Sequence, residues 1–377
     1  MSITPSLPPA RRKRSARALT ALAVAVTTVA SVVALPTAAG AATCSPLFAL
    51  LNMCTMPAPA PAPAPAYFSM DDGLPANLGL DPAYAPALSI PAEPSTSAPS
   101  TPTDPTQPCG GDEPTKPDGT AWTCTFSDEF SGTTLNTAKW SPQLTSQTSF
   151  TSGSGLATTC YVNSPNNIAV AGGALALTVR QEAGPFLCGP AGSQFASYFT
   201  AGGVSSQNKF SQAYGRFTIR AAFPSSVLQG LQSSLWLWPN NAFKYGPWPQ
   251  SGEIDIAEYY TSRPNFVVPT VHYYPTAEQD TSKGINTTTD AFCHFDDAGR
   301  FHDYTLTWTT NLLAIYYDKT LCMFDHWKPY GLTAPAPFDS PFFVTLTSAI
   351  GNGADSWLPG VTQLPATTKI DYVRVWK

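Results

Sequence analysis

Ser251-Gly252-Glu253-Ile254-Asp255-Ile256-Ala257-Glu258 places three acids within six residues of a chain in which only 12% of residues are charged. In a β-strand successive side chains alternate between faces, so Glu253 and Asp255 point one way while Ile254 and Ile256 point into a core. Continued strictly, the alternation sets Ala257 beside the acids and turns Glu258 inward, which is costly for a carboxylate. One extra residue taken up as a β-bulge near Ala257 removes the conflict and brings all three acids to one face. The plainer reading, a solvated charged face, needs basic partners along the strand, and the nearest in sequence, Lys244 and Arg263, lie outside it. Trp236, Trp238, Tyr245, Trp248, Tyr259 and Tyr260 surround the cluster in sequence, and rigid aromatic rings are surfaces on which apolar sugar faces stack. Trp236 and Trp238 share one strand face, so they line a groove together or are buried together.

A row of this kind suits retaining glycosidic cleavage, in which one carboxylate is the nucleophile and another the acid/base, with carboxyl groups about 5–5.5 Å apart. Four strand steps span roughly 13 Å between Cα atoms, so Glu253 and Glu258 must lean together over a concave, bulged strand. Asp255 between them would raise the Glu258 pKa by charge repulsion and keep that group protonated until it donates to the leaving oxygen.

Outward from this stretch the texture is β-type from about Gly119 to the end. Short apolar runs such as Gly173–Arg180, Gly215–Ala222, Ser233–Trp238, Tyr304–Trp308, Phe342–Leu346 and Ile370–Trp376 are separated by Gly, Pro, Asn and Asp. With no long 3.6-residue period, few helices are expected, and a sandwich of two antiparallel sheets is the natural way to bury such runs. No internal repeat favours a propeller or β-helix. The net charge of −5 offers no basic surface for nucleic acid and points to a neutral ligand.

The N-terminus reads as an export signal: Arg11, Arg12, Lys13 and Arg14, an apolar run from Ala16 to Leu35, then the small residues Ala38 to Ala42. A signal over residues 1–42, cleaved near Ala41, implies secretion without stable membrane insertion; a retained anchor is the competing reading. Residues 43–118 hold the Pro-Ala run Pro57–Ala66 and a second Pro/Ser/Thr-rich stretch, a stiff linker of unassigned role. Residues 119–377 form the main domain. The eight cysteines lie in the exported part, and sequence neighbours suggest Cys44–Cys54, Cys109–Cys124, Cys160–Cys188 and Cys293–Cys322. A zinc site is not expected, since no CxxC occurs and the four histidines are scattered.

Several separate motifs resemble glycoside hydrolase family 16, and within it the laminarinase-like endo-β-1,3-glucanases. Phe126-Ser127-Asp128-Glu129-Phe130-Ser131-Gly132 with Trp140 is similar to the family's opening, Tyr214-Gly215-Arg216-Phe217 with Arg220 and Pro224 to its middle strand, and Ile370-Asp371-Tyr372-Val373-Arg374-Val375-Trp376 to its closing strand. The resemblance implies a concanavalin-like jelly roll with a cleft across its concave sheet. It also implies Glu253 as nucleophile, Asp255 as assisting residue, Glu258 as acid/base, and Trp236, Trp248 and His272 as substrate contacts. The implied partner is a β-glucan polysaccharide with β-1,3 or mixed β-1,3/1,4 linkages, cleaved internally; a monomer is expected, since nothing in the sequence demands an oligomer. No cofactor is required for catalysis; a structural calcium ion on the convex side, held by Glu129, Gly173 and Asp371, is implied by some relatives. Ala257, Thr218, Thr347 and Gly203 depart from the family pattern at or behind the cleft and bear on linkage preference. A non-catalytic β-glucan-binding lectin and a wall-glucan transglycosylase are the alternative readings on the same scaffold.

Overall fold

A computed structural model of the chain describes residues 104–224, 228–276, 288–289, 293 and 297–377. The export signal, the Pro-Ala run and the Cys44–Cys54 pair lie outside the described residues. Those described belong to one compact unit, Pro86–Lys377. They are almost entirely strand; the only α-helical turn among them is Thr145–Thr148.

The two expected sheets are present. The smaller runs, in order across, Val267–His272, Glu253–Tyr260, Leu231–Pro239, Phe342–Ile350, Gly203–Ser205 and Ser141–Pro142, every neighbour antiparallel. The larger is built on Thr320–Asp325, Leu313–Tyr317, His302–Trp308, Gly215–Ala222, Ala366–Trp376 and Ala174–Cys188. It extends through Phe195–Ala201 to Thr159–Tyr161, and that last pairing is parallel, a departure from the all-antiparallel expectation. The chain leaves and re-enters both sheets repeatedly, as a jelly roll does.

Binary patterning explains how the sheets face each other. Leu235, Leu237, Ile254, Ile256 and Ala257 on the smaller sheet are all 0% exposed and meet Phe217, Ile219, Leu306, Ile315, Val373 and Val375 of the larger. Burying such side chains stabilises by about 1.5–3 kcal/mol each, so a strand with polar residues on alternate positions must turn that second face away from the core. On the Leu231–Pro239 strand this leaves Trp236 and Trp238 half-buried on the outer face.

Ordered packing begins before Gly119, earlier than the composition predicts. Cys109 is buried, bonded to Cys124, and its N–H donates to Ser127 Oγ at 3.2 Å; the Trp376 indole donates to the Asp112 carbonyl at 3.2 Å. A Pro-rich stretch packs here because a disulfide and an aromatic ring of the closing strand hold it, neither of which composition reports. The expected bridges Cys109–Cys124, Cys160–Cys188 and Cys293–Cys322 all form.

Candidate active site

The bulge is where the sequence places it. Against Val267–His272, Asp255 pairs with Thr270 and Glu258 with Val268, three steps on one strand for two on the other. Against Leu231–Pro239, Leu235 pairs with Ala257 and Trp236 with Asp255, again one residue in excess on the acid strand. Ile256 and Ala257 both point into the core at 0% exposure, and Glu258 emerges on the face of Glu253 and Asp255. A bulge frees a main-chain group from the ladder, and here the Ile256 carbonyl accepts a 3.1 Å bond from the Tyr317 hydroxyl of the opposite sheet. Replacing Tyr317 by phenylalanine leaves that buried carbonyl unpaired, so urea unfolding should show a loss of about 1–3 kcal/mol. Unchanged stability would mean that the bulge needs no such support.

The three acids line a groove of about 210 Å³ with Trp236, Gln232, Tyr161 and Phe150. Phe150 stacks on Tyr161 at 5.1 Å and leans against Trp236 at 5.9 Å, so one wall is aromatic. The Trp248 indole, about half exposed, donates to Glu253 Oε2 at 2.6 Å. His272 stands directly across from Glu253 in register, with Nε2 3.0 Å from Asp255 Oδ2, an ion-pair distance without hydrogen-bond alignment. Glu258 Oε1 accepts bonds from the Tyr260 hydroxyl at 2.8 Å and from Gln232 Nε2 at 3.0 Å.

Burial dominates the electrostatics. It pushes the Glu253 carboxyl up to about 8, with the Asp255 charge adding to the rise and His272 and the Trp248 indole opposing it. Asp255, almost wholly buried, is raised well above the ordinary aspartate value by desolvation and then by the Glu258 charge. Glu258 is raised as well, by burial first, against the bonds from Tyr260 and Gln232. Desolvation, more than the Asp255 repulsion expected from sequence, therefore holds protons on this cluster. Two glutamates on one face of a groove, one bonded by an indole and the other by a phenol and an amide, with a buried aspartic acid between, have the parts that double displacement at a sugar carbon requires.

The remaining sequence candidates divide. Tyr259 is core, stacked on Phe223 at 5.1 Å, and Tyr245 bonds Asp339 at 2.6 Å away from the acids. Thr347 accepts from the Trp236 indole at 3.3 Å, and a Cβ on Gly203 would meet the Tyr161 ring at 3.1 Å, so both departures belong to the groove wall. Thr218 does not: it sits in the larger sheet with its hydroxyl 3.0 Å from that of Thr305. Of the groove residues, Tyr260 is among the aromatics that surround the acids in sequence, whereas Gln232, Phe150 and Tyr161 belong to no motif that marks them. Gln232 and Tyr260 continue the outward alternation of their strands, which is a local signal; Phe150 comes from a loop and Tyr161 from the strand Thr159–Tyr161, both distant in sequence, and they carry none.

Strand register brings the expected calcium residues to one end of the larger sheet, Ile370 opposite Leu175 and Asp128 opposite Val373. The Glu129 carboxylate, however, accepts bonds of 2.9 and 2.7 Å from the buried Arg374 guanidinium, and Asp371 Oδ2 lies 3.2 Å from Arg220 Nε. The Glu129 side chain does not fit a hard-cation site because an internal cation already neutralises it. Any ion there would draw on main-chain oxygens and the second Asp371 oxygen.

The family model for glycosyl hydrolases family 16 matches residues 154–324. The chain is 30% identical over 281 residues to a glucan endo-1,3-beta-glucosidase A1 of Niallia circulans, an alignment that covers 70% of this chain and 39% of that one. It is 30% identical over 233 residues to a beta-glucanase of Rhodothermus marinus, covering 56% of this chain and 70% of that one. The solved laminarinase of Rhodothermus marinus superposes with a TM-score of 0.54 at 27% identity, over 68% of this chain and 97% of that one. The chain spans 39% and 40% of the length of the first two curated relatives. On strands, sheets and sequence alike, the chain belongs to glycosyl hydrolase family 16.

Proposed function

We propose that the chain is a secreted endo-acting hydrolase of β-1,3-glucan that retains anomeric configuration, with Glu253 as nucleophile, Glu258 as acid/base and Asp255 assisting. The bulge at Ile256–Ala257 carries this reading, because without it the last carboxyl would lie in the core rather than in the groove. The names of the relatives, glucan endo-1,3-beta-glucosidase and laminarinase, support the substrate class. The N-terminal export pattern supports secretion.

In the first step an oxygen of Glu253, in its ionised form, bonds to the anomeric carbon as the glycosidic C–O bond breaks, and the proton of Glu258 passes to the leaving oxygen. Water then attacks the same carbon, gives its proton back to Glu258 and releases Glu253. The Trp248 indole bonds Glu253 Oε2, which leaves the other oxygen of that carboxylate to attack. Trp236 and Trp248 supply faces for the sugar rings, and His272 lies 3.0 Å from the Asp255 carboxyl. Burial raises the Asp255 pKa, so this carboxyl keeps its proton to higher pH than an ordinary aspartate and adds less charge beside the two glutamates.

Proton NMR of the first reducing sugars released from laminarin tests the reading. The β-anomer should appear first and mutarotate to the α-form, with slower release from lichenan and none from agarose or carrageenan. An α-anomer first, or binding to laminarin without any product, contradicts it.

A further inference from the structure

Glu258 is held at one oxygen by two neutral donors that belong to different strands. Tyr260 O–H donates to Oε1 at 2.8 Å, Gln232 Nε2 donates to the same Oε1 at 3.0 Å, and Gln232 Nε2 also lies 3.3 Å from the Tyr260 oxygen, which closes a triangle. Both donors are partly buried, and Gln232 faces Tyr260 directly in strand register. An oxygen that accepts from a phenol and an amide at once has no room for a proton of its own.

We propose that Tyr260 and Gln232 are positioning residues that make Oε1 of Glu258 a fixed acceptor, so that Oε2 is the oxygen that carries the proton to and from the sugar. The inference rests on Glu258 being the acid/base. In the first step the Oε2 proton moves to the glycosidic oxygen while Glu253 bonds to the anomeric carbon and the C–O bond breaks. In the second, the bond between that carbon and Glu253 breaks as water gives its hydroxyl to the carbon and its proton to Oε2, which returns Glu253 as a carboxylate. Neither Tyr260 nor Gln232 changes its own protonation in either step.

The clamp has a second effect through charge. Donors on a carboxylate favour its ionised form, and both Tyr260 and Gln232 oppose the upward push that burial gives Glu258. The other groups that face Glu258 are Asp255 and Glu253 on its own strand, and on the neighbouring one His272 and Thr270, whose hydroxyl also hydrogen-bonds the Glu258 carboxyl. Asp355 bears on the Tyr260 hydroxyl as well as Asp255 does. Tyr260→Phe and Gln232→Met leave Asp255, Glu253, His272 and Thr270 in place around Glu258, so a shift of its titration reports on the lost donor.

The experiment is the pH profile of kcat/KM on laminarin for the wild type, Tyr260→Phe, Gln232→Met and Glu258→Ala. Loss of protonated Glu258 sets the basic limb, and removing either donor should move that limb to higher pH by about 0.5–1 unit. On an aryl β-glucoside with a good leaving group, where the second step governs turnover, kcat should fall while KM falls with it, because the base that activates water is less often ionised and less well aimed. If both single variants keep the wild-type basic limb, whether or not they lose rate, the clamp is wrong. If Glu258→Ala itself retains the basic limb, the acid/base assignment is wrong instead. Gln232→Met provides the same test should Tyr260→Phe not fold.

Discussion

Glu253→Gln should lower kcat on laminarin by ~10⁴-fold or more, the scale seen when a covalent nucleophile is removed. The amide is nearly isosteric and can still accept from the Trp248 indole, so the groove keeps its shape and laminarin should still bind. What is lost is the attacking oxygen. The stability of the same variant should carry a pH signature. The folded Glu253 carboxyl titrates at about 8 against an ordinary value of 4.5, raised first by burial and then by Asp255. A carboxyl whose folded pKa is raised contributes stability that is fully present below 4.5 and is lost as pH rises through about 8. Glutamine does not titrate. The variant should therefore match the wild type at pH 4 and exceed it in Tm above pH 8 by several degrees, since 1 kcal/mol moves a domain of this size by ~2–4 °C. Scanning calorimetry at the two pH values checks this, and equal Tm differences at both would show that Glu253 is not held in a desolvated cluster.

The second large effect concerns Glu258. Alanine at that position removes the proton donor, and on a glucan, whose leaving group is a poor one, the rate should fall by ~10²–10⁴-fold. On an aryl β-glucoside with an acidic phenol the first step no longer needs the proton, so a burst of phenol should precede slow turnover as the glycosyl-enzyme accumulates. Azide added to this variant enters from the face that water would use and should restore turnover with a β-glycosyl azide as product. In Glu253→Ala the azide occupies the nucleophile's own place, and the product should be the α-azide. The two stereochemical outcomes assign the two glutamates independently of rate; an α-azide from Glu258→Ala would reverse the roles.

Much of this was readable before the fold was known, and for a definite reason. Alternation along Glu253–Tyr260 conflicts with a buried carboxylate at Glu258 unless a residue is inserted, and the structure inserts it, with both Ile256 and Ala257 facing the core. Strand edges were less legible. The closing strand starts at Ala366 rather than Ile370, and Ala174–Cys188 runs well past Arg180, because its polar continuation pairs with Phe195–Ala201 and not with the core sheet alone. The bond from Tyr317 to the bulge spans 61 residues, and the wall of Phe150 and Tyr161 comes from a segment far from the acids. Long-range partners of this sort leave no period in the sequence. Composition also hid the anchoring of residues 104–118, since proline-rich sequence reads as linker until a disulfide and the Trp376 ring are seen to hold it.

Covalent trapping tests the central claim most directly. A 2-deoxy-2-fluoro β-glucoside with a good leaving group slows both displacement steps but the second more, so the glycosyl-enzyme persists long enough for peptide mass spectrometry. A single fluoroglucosyl adduct on Glu253 is the predicted result. An adduct on Glu258 or Asp255, or rapid hydrolysis with inverted product and no adduct, would contradict the assignment of the bulged strand as the catalytic one in the manner described.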